Sequence, residues 1–123
     1  MEPQRILVVD DDPSILRLVQ LMLQHNGYHV VTASDGDQAL ELFESTRPDL
    51  MVLDLNLPGT PGWEVCQAVK ASTHTPVVVI TGRSPTEPET RGVAAQANSY
   101  LIKPFDVEVL VETIRTLIPA AQS

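Results

Sequence analysis

Short apolar runs alternate with amphipathic segments along the whole chain, and this alternation is the feature that most limits its possible folds. Several of the short runs are apolar at consecutive positions, as expected of strands that are covered on both faces. Five strands are predicted, at residues 5–9, 29–33, 50–53, 77–80 and 100–102. We found no internal repeat, low-complexity tract or interior linker between them, so the sequence predicts a single domain over residues 1–123.

The segments between the predicted strands have helical spacing. In the first, Ile15, Leu18 and Met22 repeat at three- and four-residue steps, with Asp12 placed to cap the start and Gly27 to end it. Further helices are predicted from residue 35 to about 45, from about 62 to 71, from about 89 to 96 and from 107 to about 118. The fourth should be short, because the prolines at 85 and 88 prevent an earlier start. Strands that alternate with helices predict an α/β fold, a doubly wound parallel sheet with helices on both faces.

Composition restricts the possible partners and the compartment. Sixteen acidic and eight basic residues give a formal net charge of −8, so the domain should repel nucleic acid and anionic membranes. No apolar run approaches the roughly 20 residues that span a bilayer, and a cytoplasmic location is expected. The single cysteine, Cys66, suits a reducing compartment and is expected in the core, and Trp63 is expected to pack rather than bind.

Polar residues follow the predicted strands at the edge where ligands bind in such sheets. Strand 1 leads into Asp10 and Asp11, and strand 3 leads into Asp54. If these strands are neighbours, the three carboxylates meet in one pocket, where they must share a proton or bind a cation. Oxygen ligands indicate a hard metal, and Mg²⁺ suits a site with few protein ligands.

Two further strand ends contribute groups that suit an anion. Thr81 provides a hydroxyl after strand 4, and Lys103 provides a positive charge after strand 5. Phosphoryl transfer needs an in-line nucleophile and positive charge around the transferred group. Asp54 could therefore attack a phosphoryl donor while Thr81, Lys103 and the metal stabilise the group, which would give an acyl phosphate.

With these residues in place, the sequence closely resembles the receiver domains of two-component response regulators. The resemblance rests on four motifs, each at the end of a predicted strand, and covers nearly the whole chain. The motifs are Ile6-Leu7-Val8-Val9-Asp10-Asp11, Val52-Leu53-Asp54-Leu55-Asn56-Leu57-Pro58-Gly59, Ile80-Thr81 and Tyr100-Leu101-Ile102-Lys103-Pro104-Phe105. It implies a flavodoxin-like sheet of strand order 2-1-3-4-5.

The resemblance also implies roles for individual residues. Asp54 would be the phosphoryl acceptor, and Asp11, Asp54 and the Asn56 backbone carbonyl would bind Mg²⁺ directly, with Asp10 acting mainly through water. Thr81 and Lys103 would contact the phosphoryl group. Tyr100 matches the aromatic switch residue, which couples the threonine to the surface of helix 4, strand 5 and helix 5. The Lys103-Pro104 bond is expected to be cis.

Two stretches depart from the family pattern. The loop after strand 3 carries Pro61 where an acidic residue is common, and Gln96-Ala97-Asn98 replaces the usual Gly-Ala-Asp before strand 5. These changes bear on partner recognition more than on the acidic pocket.

The function implied by the resemblance is phosphorelay signalling rather than turnover of external substrates. The donor would be a sensor histidine kinase or a phosphotransfer protein. The output would go to a protein target, to an attached effector domain or to a second copy of the chain. Direct binding of nucleic acid or membrane is not expected.

Three alternatives use similar residues or a similar architecture. A phosphatase of the haloacid dehalogenase kind usually has a second acid two residues after its nucleophile, where this chain has Asn56. A flavin-binding electron carrier would meet repulsion between the flavin phosphate and the acids after strand 1. A pseudo-receiver that binds partners without phosphorylation would not need the intact set of acids.

Overall fold

Five parallel strands form one sheet in the order β2-β1-β3-β4-β5 in the computed structural model, which describes residues 3–119. The strands are β1 (Arg5–Val9), β2 (His29–Ala33), β3 (Leu50–Asp54), β4 (Val77–Thr81) and β5 (Ser99–Ile102). The helices are α1 (Pro13–His25), α2 (Gly36–Thr46), α3 (Gly62–Ser72), α4 (Arg91–Gln96) and α5 (Val107–Leu117). This architecture confirms the predicted doubly wound fold and its strand order.

The sheet is covered on both faces, which explains its uninterrupted apolar strands. One core lies between the sheet and α2, α3 and α4, and includes Phe43, Cys66 and Val93. The other lies between the sheet and α1 and α5, and includes Leu23 and Ile114. Cys66 is fully buried, as predicted.

Local capping fixes the helices that begin near the carboxyl ends of the strands. Asp12, Asp35 and Asp106 each accept a hydrogen bond from a backbone N–H in the first turn of α1, α2 and α5. At α2 the Gln38 side chain also accepts from the Ser34 backbone N–H, so both Asp35 and Gln38 bind backbone groups at the start of this helix.

The fourth helix is shorter than predicted, with six residues instead of about eight. Thr90 is buried, and its hydroxyl donates to the backbone carbonyls of Ser84 and Glu87. These hydrogen bonds organise the preceding segment as turns, so the helix begins only at Arg91.

The ends of the strands also differ slightly from the prediction. β3 and β4 each extend by one residue, so that Asp54 and Thr81 are the last residues of their strands. The Lys103-Pro104 bond after β5 is cis, as expected. Among residues 3–119, no helix is long and apolar enough to cross a membrane.

Candidate phosphoryl-acceptor site

The parallel register brings two acids side by side at the carboxyl edge of the sheet. Val9 of β1 pairs with Leu53 of β3, and the next residues are Asp10 and Asp54. Both side chains are almost completely buried. Burial of two carboxylates this close together requires compensating positive charge or a shared proton.

Lys103 supplies that positive charge. Its Nζ lies 2.8 Å from Asp10 Oδ2 and 3.0 Å from Asp54 Oδ2, so one ammonium group bridges both acids. The Lys103 backbone N–H donates to the Thr81 carbonyl at 2.7 Å, which holds the start of the β5–α5 loop against the end of β4. The remaining carboxylate oxygens accept from the backbone: Asp10 Oδ1 from Asp12 at 2.9 Å and Asp54 Oδ1 from Asn56 at 3.1 Å.

These surroundings shift the pKa of two of the groups. Burial raises the pKa of Asp54 above its ordinary value, against the opposing effects of the Asn56 N–H and of Lys103, and the charge of Asp10 adds to the rise. Burial alone would lower the pKa of Lys103, but its hydrogen bonds to Asp10 and Asp54 and the charges of both acids outweigh burial and raise it. Lys103 is therefore held as a cation, whereas the buried site disfavours the charged form of Asp54.

A third carboxylate completes an arrangement that suits a divalent cation. Asp10, Asp11 and Asp54 each offer an oxygen, and these atoms all lie within 4.8 Å of one another. Asp11 is exposed, so the cluster faces solvent on that side. Carboxylate oxygens with an open, solvated side fit Mg²⁺, which keeps several of its waters. Asn56, whose N–H donates to Asp54 Oδ1, lies beside this cluster and lines the neighbouring cavity.

Thr81 and Tyr100 are connected through the backbone of a third residue, Arg83. The Arg83 N–H donates to Thr81 Oγ1 at 3.4 Å, and the Arg83 carbonyl accepts from the Tyr100 hydroxyl at 2.9 Å. Thr81 is fully buried at the end of β4, and Tyr100 is partly buried and packs against the core beneath α4. Among residues 3–119, the Thr81 hydroxyl makes no direct hydrogen bond to Asp54 or Lys103.

A cavity of about 620 Å³ opens beside the acids. Asp11 and Asn56 line it on the side of the cluster, and Trp63, Arg83 and Glu89 line it farther out. Trp63 is 48% exposed, so the expectation that it packs in the protein was wrong. It is the second residue of α3, and its position on the cavity wall follows from the course of the β3–α3 loop, which the sequence pattern does not specify.

Sequence reasoning missed two further features. It placed the positive charge of Lys103 opposite the acids but did not predict that one ammonium group bridges Asp10 and Asp54, and it gave no structural role to Arg83. No residue near Lys103 in the sequence indicates which acid it contacts. Arg83 acts here through its backbone atoms, which every residue type has, so its identity gives no indication of this role.

A buried aspartate that faces a lysine, within a carboxylate cluster that fits a divalent cation at the edge of a 2-1-3-4-5 sheet, is the arrangement expected of phospho-accepting signalling domains. Comparison with known proteins agrees with this class, since the family model named response regulator receiver domain matches residues 6–115. The chain belongs to this family of two-component signalling, whose general role is phosphorylation on an aspartate with Mg²⁺.

Curated relatives include the DNA-binding response regulator MtrA of Mycolicibacterium smegmatis, 40% identical over 112 residues, which are 91% of this chain and 49% of the relative. The probable transcriptional regulator ycf27 of Porphyridium aerugineum is 36% identical over 118 residues, which are 96% of this chain and 49% of the relative. The chain thus spans about half the length of the curated relatives that it matches.

Solved structures give the same family. The chemotaxis response regulator CheY4 of Vibrio cholerae has a TM-score of 0.85 and 35% identity, with 94% of this chain and 99% of that chain covered. The response regulator TrrA of Thermotoga maritima, solved in complex with Mg²⁺ and BeF, has a TM-score of 0.84 and 33% identity, again with 94% and 99% covered.

Proposed function

We propose that residues 1–123 act as a single receiver domain in which Asp54 accepts the phosphoryl group. The observation that carries this proposal is the bridge from Lys103 to Asp10 and Asp54, which places a permanent cation beside a buried carboxylate. Asp10, Asp11, Asp54 and the Asn56 carbonyl would hold Mg²⁺. When bound, the ion supplies positive charge that offsets the charges of the acids and of the phosphoryl oxygens.

In the proposed reaction, Asp54 attacks the phosphorus of a phosphohistidine. The P–N bond of the donor breaks as a P–O bond to Asp54 forms, and the departing imidazole nitrogen takes up a proton. Lys103 exchanges its hydrogen bond to Asp54 for one to a phosphoryl oxygen and keeps its bond to Asp10. Because the Thr81 oxygen accepts from the Arg83 N–H, its own O–H is left to donate to the phosphoryl group.

The same hydrogen bonds support a route from the site to the surface. If Thr81 moves toward the phosphoryl group, it pulls on the Arg83 N–H, and the Arg83 carbonyl moves with the hydroxyl of Tyr100. Tyr100 lies in β5 and packs under α4, so its displacement would change the surface formed by α4, β5 and α5. We propose this surface as the output of the switch.

The proposed partners follow from the family. A sensor histidine kinase or a phosphotransfer protein would donate the phosphoryl group, and the receptor of the output would be a protein target, an attached effector domain or a second copy of the chain. The two curated relatives named above are called a DNA-binding regulator and a probable transcriptional regulator, and both are about twice the length of this chain. Any DNA binding would belong to such an effector and not to this acidic domain. The domain would catalyse only its own phosphorylation and the later hydrolysis of the acyl phosphate.

The test is incubation with Mg²⁺ and acetyl phosphate, followed by intact mass spectrometry. We expect a gain of one phosphate that is abolished in Asp54→Asn and that requires Mg²⁺. Asp106→Asn is a matched control, because it makes the same chemical change at an exposed helix cap. Phosphate uptake by Asp54→Asn would refute the assignment, and steady turnover of small phosphomonoesters would instead favour the phosphatase alternative.

A further inference from the structure

The loop between β3 and α3, residues 55–61, rests on the first turn of α2. The Gly36 backbone N–H donates to the Pro58 carbonyl at 3.3 Å. The Thr60 hydroxyl donates to Asp37 Oδ1. Gly36 and Asp37 of the helix therefore hold the later part of the loop, and the earlier part of the same loop carries Asn56.

The backbones of the loop and the helix approach each other too closely for a side chain at residue 36. A Cβ on Gly36 would lie 1.8 Å from the Thr60 carbonyl oxygen, far inside any permitted contact. Gly59, at the turn of the loop, has a φ of +74°, a conformation that favours glycine, and a Cβ there would lie 3.0 Å from Asp37 Oδ2. The loop and the first turn of α2 therefore pack closely, with no space for a side chain at Gly36.

A hydrogen bond between the two ends of the loop holds it beside the acidic cluster. The Gly62 N–H donates to the Leu55 carbonyl at 3.1 Å, and a Cβ on Gly62 would lie 2.4 Å from the Asp54 carbonyl oxygen. Asn56 follows Leu55 in the chain, and its N–H donates to Asp54 Oδ1. Between these two fixed ends the loop has little freedom, so a displacement at the α2 contact would be expected to shift the backbone at Asn56.

The helix that carries the contact is itself well anchored. Asp35 accepts from the Gln38 N–H at 2.7 Å, and the Gln38 side chain accepts from the Ser34 N–H at 2.9 Å. Phe43 and Ala39 bury the opposite face of α2 in the core. The helix can therefore act as a fixed support for the loop.

We propose that Asp37 and Thr60 are positioning residues, which hold the β3–α3 loop so that the Asn56 carbonyl faces the magnesium site. This inference rests on the proposed function, in which that carbonyl is a ligand. Neither residue belongs to the acidic cluster, so both act only through the loop backbone. Outer contacts that fix the ligands of a metal are known to change its affinity.

The test measures Mg²⁺ affinity in Thr60→Val, which removes the hydroxyl without changing the net charge. Trp63 is the only tryptophan and lines the same cavity as Asp11 and Asn56, so its emission provides one signal. The Mg²⁺-dependent rise of the unfolding midpoint provides a second one. We expect Thr60→Val to weaken Mg²⁺ binding roughly 3- to 10-fold, as the loss of one hydrogen bond would, and Thr60→Ser to restore it.

Two further variants complete the series. Gly36→Ala should weaken Mg²⁺ binding more than Thr60→Val does, because its methyl group displaces the loop. Thr113→Val removes a hydroxyl that donates to the Val109 carbonyl at 2.8 Å in the exposed part of α5, and it should leave Mg²⁺ affinity unchanged. Hydrogen exchange of residues 55–61 without Mg²⁺ should be faster in Thr60→Val than in the parent protein.

The outcomes separate this inference from the proposed function. If Asp11→Asn weakens Mg²⁺ binding but Thr60→Val and Gly36→Ala do not, the positioning role is refuted and the metal site stands. If Thr60→Val lowers stability without changing Mg²⁺ affinity, the contact is only structural and the inference is again refuted. If Asp11→Asn leaves Mg²⁺ affinity unchanged, the proposed metal site itself is wrong.

Discussion

Lys103 and Asp10 are 93 positions apart in the chain, and their side chains form an ion pair of 2.8 Å. Asp10 is fully buried, whereas Lys103 retains 22% of its side-chain exposure. A carboxylate at this depth depends on its cation, because an unpaired buried charge is costly. The pair therefore contributes to the stability of the domain as well as to its proposed chemistry.

Replacing the lysine should consequently destabilise the domain. We expect Lys103→Met in Mg²⁺-free buffer to lower the free energy of unfolding by about 1–3 kcal/mol, because Asp10 and Asp54 lose their shared donor. Urea denaturation measures this loss. Glu112→Gln breaks the exposed ion pair with Arg115 and should cost no more than about 1 kcal/mol. Equal effects of the two substitutions would contradict a structural role for the buried pair.

Asp54 should have the opposite effect on stability, with a defined pH dependence. A group whose pKa is raised on folding stabilises the folded state below its unfolded pKa, and this contribution is lost as the pH rises through the folded pKa. The charged form of Asp54 therefore costs stability, and at pH 7 Asp54→Asn should raise the free energy of unfolding by roughly 0.5–2 kcal/mol.

The advantage of Asp54→Asn should shrink as the pH falls toward the ordinary carboxyl pKa of about 3.9. Urea denaturation at several pH values in Mg²⁺-free buffer measures the trend. Asp106→Asn preserves a helix cap at an exposed position and should change stability by about 0.5 kcal/mol or less. An Asp54→Asn variant that is less stable than the parent at pH 7 would show that the hydrogen bonds to Asp54 outweigh its burial.

Tyr100→Phe should loosen the β4–α4 loop without preventing phosphorylation. The variant loses the hydrogen bond to the Arg83 carbonyl, so the amide hydrogens of residues 83–90 should exchange faster and stability should fall by about 0.5–1.5 kcal/mol. Hydrogen exchange measured by mass spectrometry tests this. Tyr28→Phe is the matched control, because the Tyr28 hydroxyl is buried and has no hydrogen-bond partner among the described residues. Removal of this hydroxyl should leave the free energy of unfolding unchanged.

Cys66 should report on unfolding rather than on chemistry at the site. The thiol is buried in α3, and burial raises its pKa against the opposing effect of Lys70. Iodoacetamide at pH 8 should therefore modify the folded protein at least about 100-fold more slowly than the urea-unfolded protein, since few molecules are open at any time. Alkylation as fast in the folded state as in the unfolded state would contradict the packing of α3.

Much of the fold could be predicted because its signals are local. Consecutive apolar residues mark strands that are covered on both faces, and Asp12, Asp35 and Asp106 cap helices within a few residues of their own positions. The α4 region was harder to predict, because the buried hydroxyl of Thr90 favours turns where the prolines at 85 and 88 alone predicted a start at about residue 89.

The sequence by itself determined that acids, a threonine and a lysine follow successive strands, since order along the chain and strand ends are local properties. The tertiary structure alone decided which of these groups touch. Lys103 is bonded to both Asp10 and Asp54, Thr81 reaches Tyr100 through Arg83, and the tip of the β3–α3 loop rests on α2. Such contacts depend on strand register and on the course of the loops, and both are set by packing between segments that are distant in the chain.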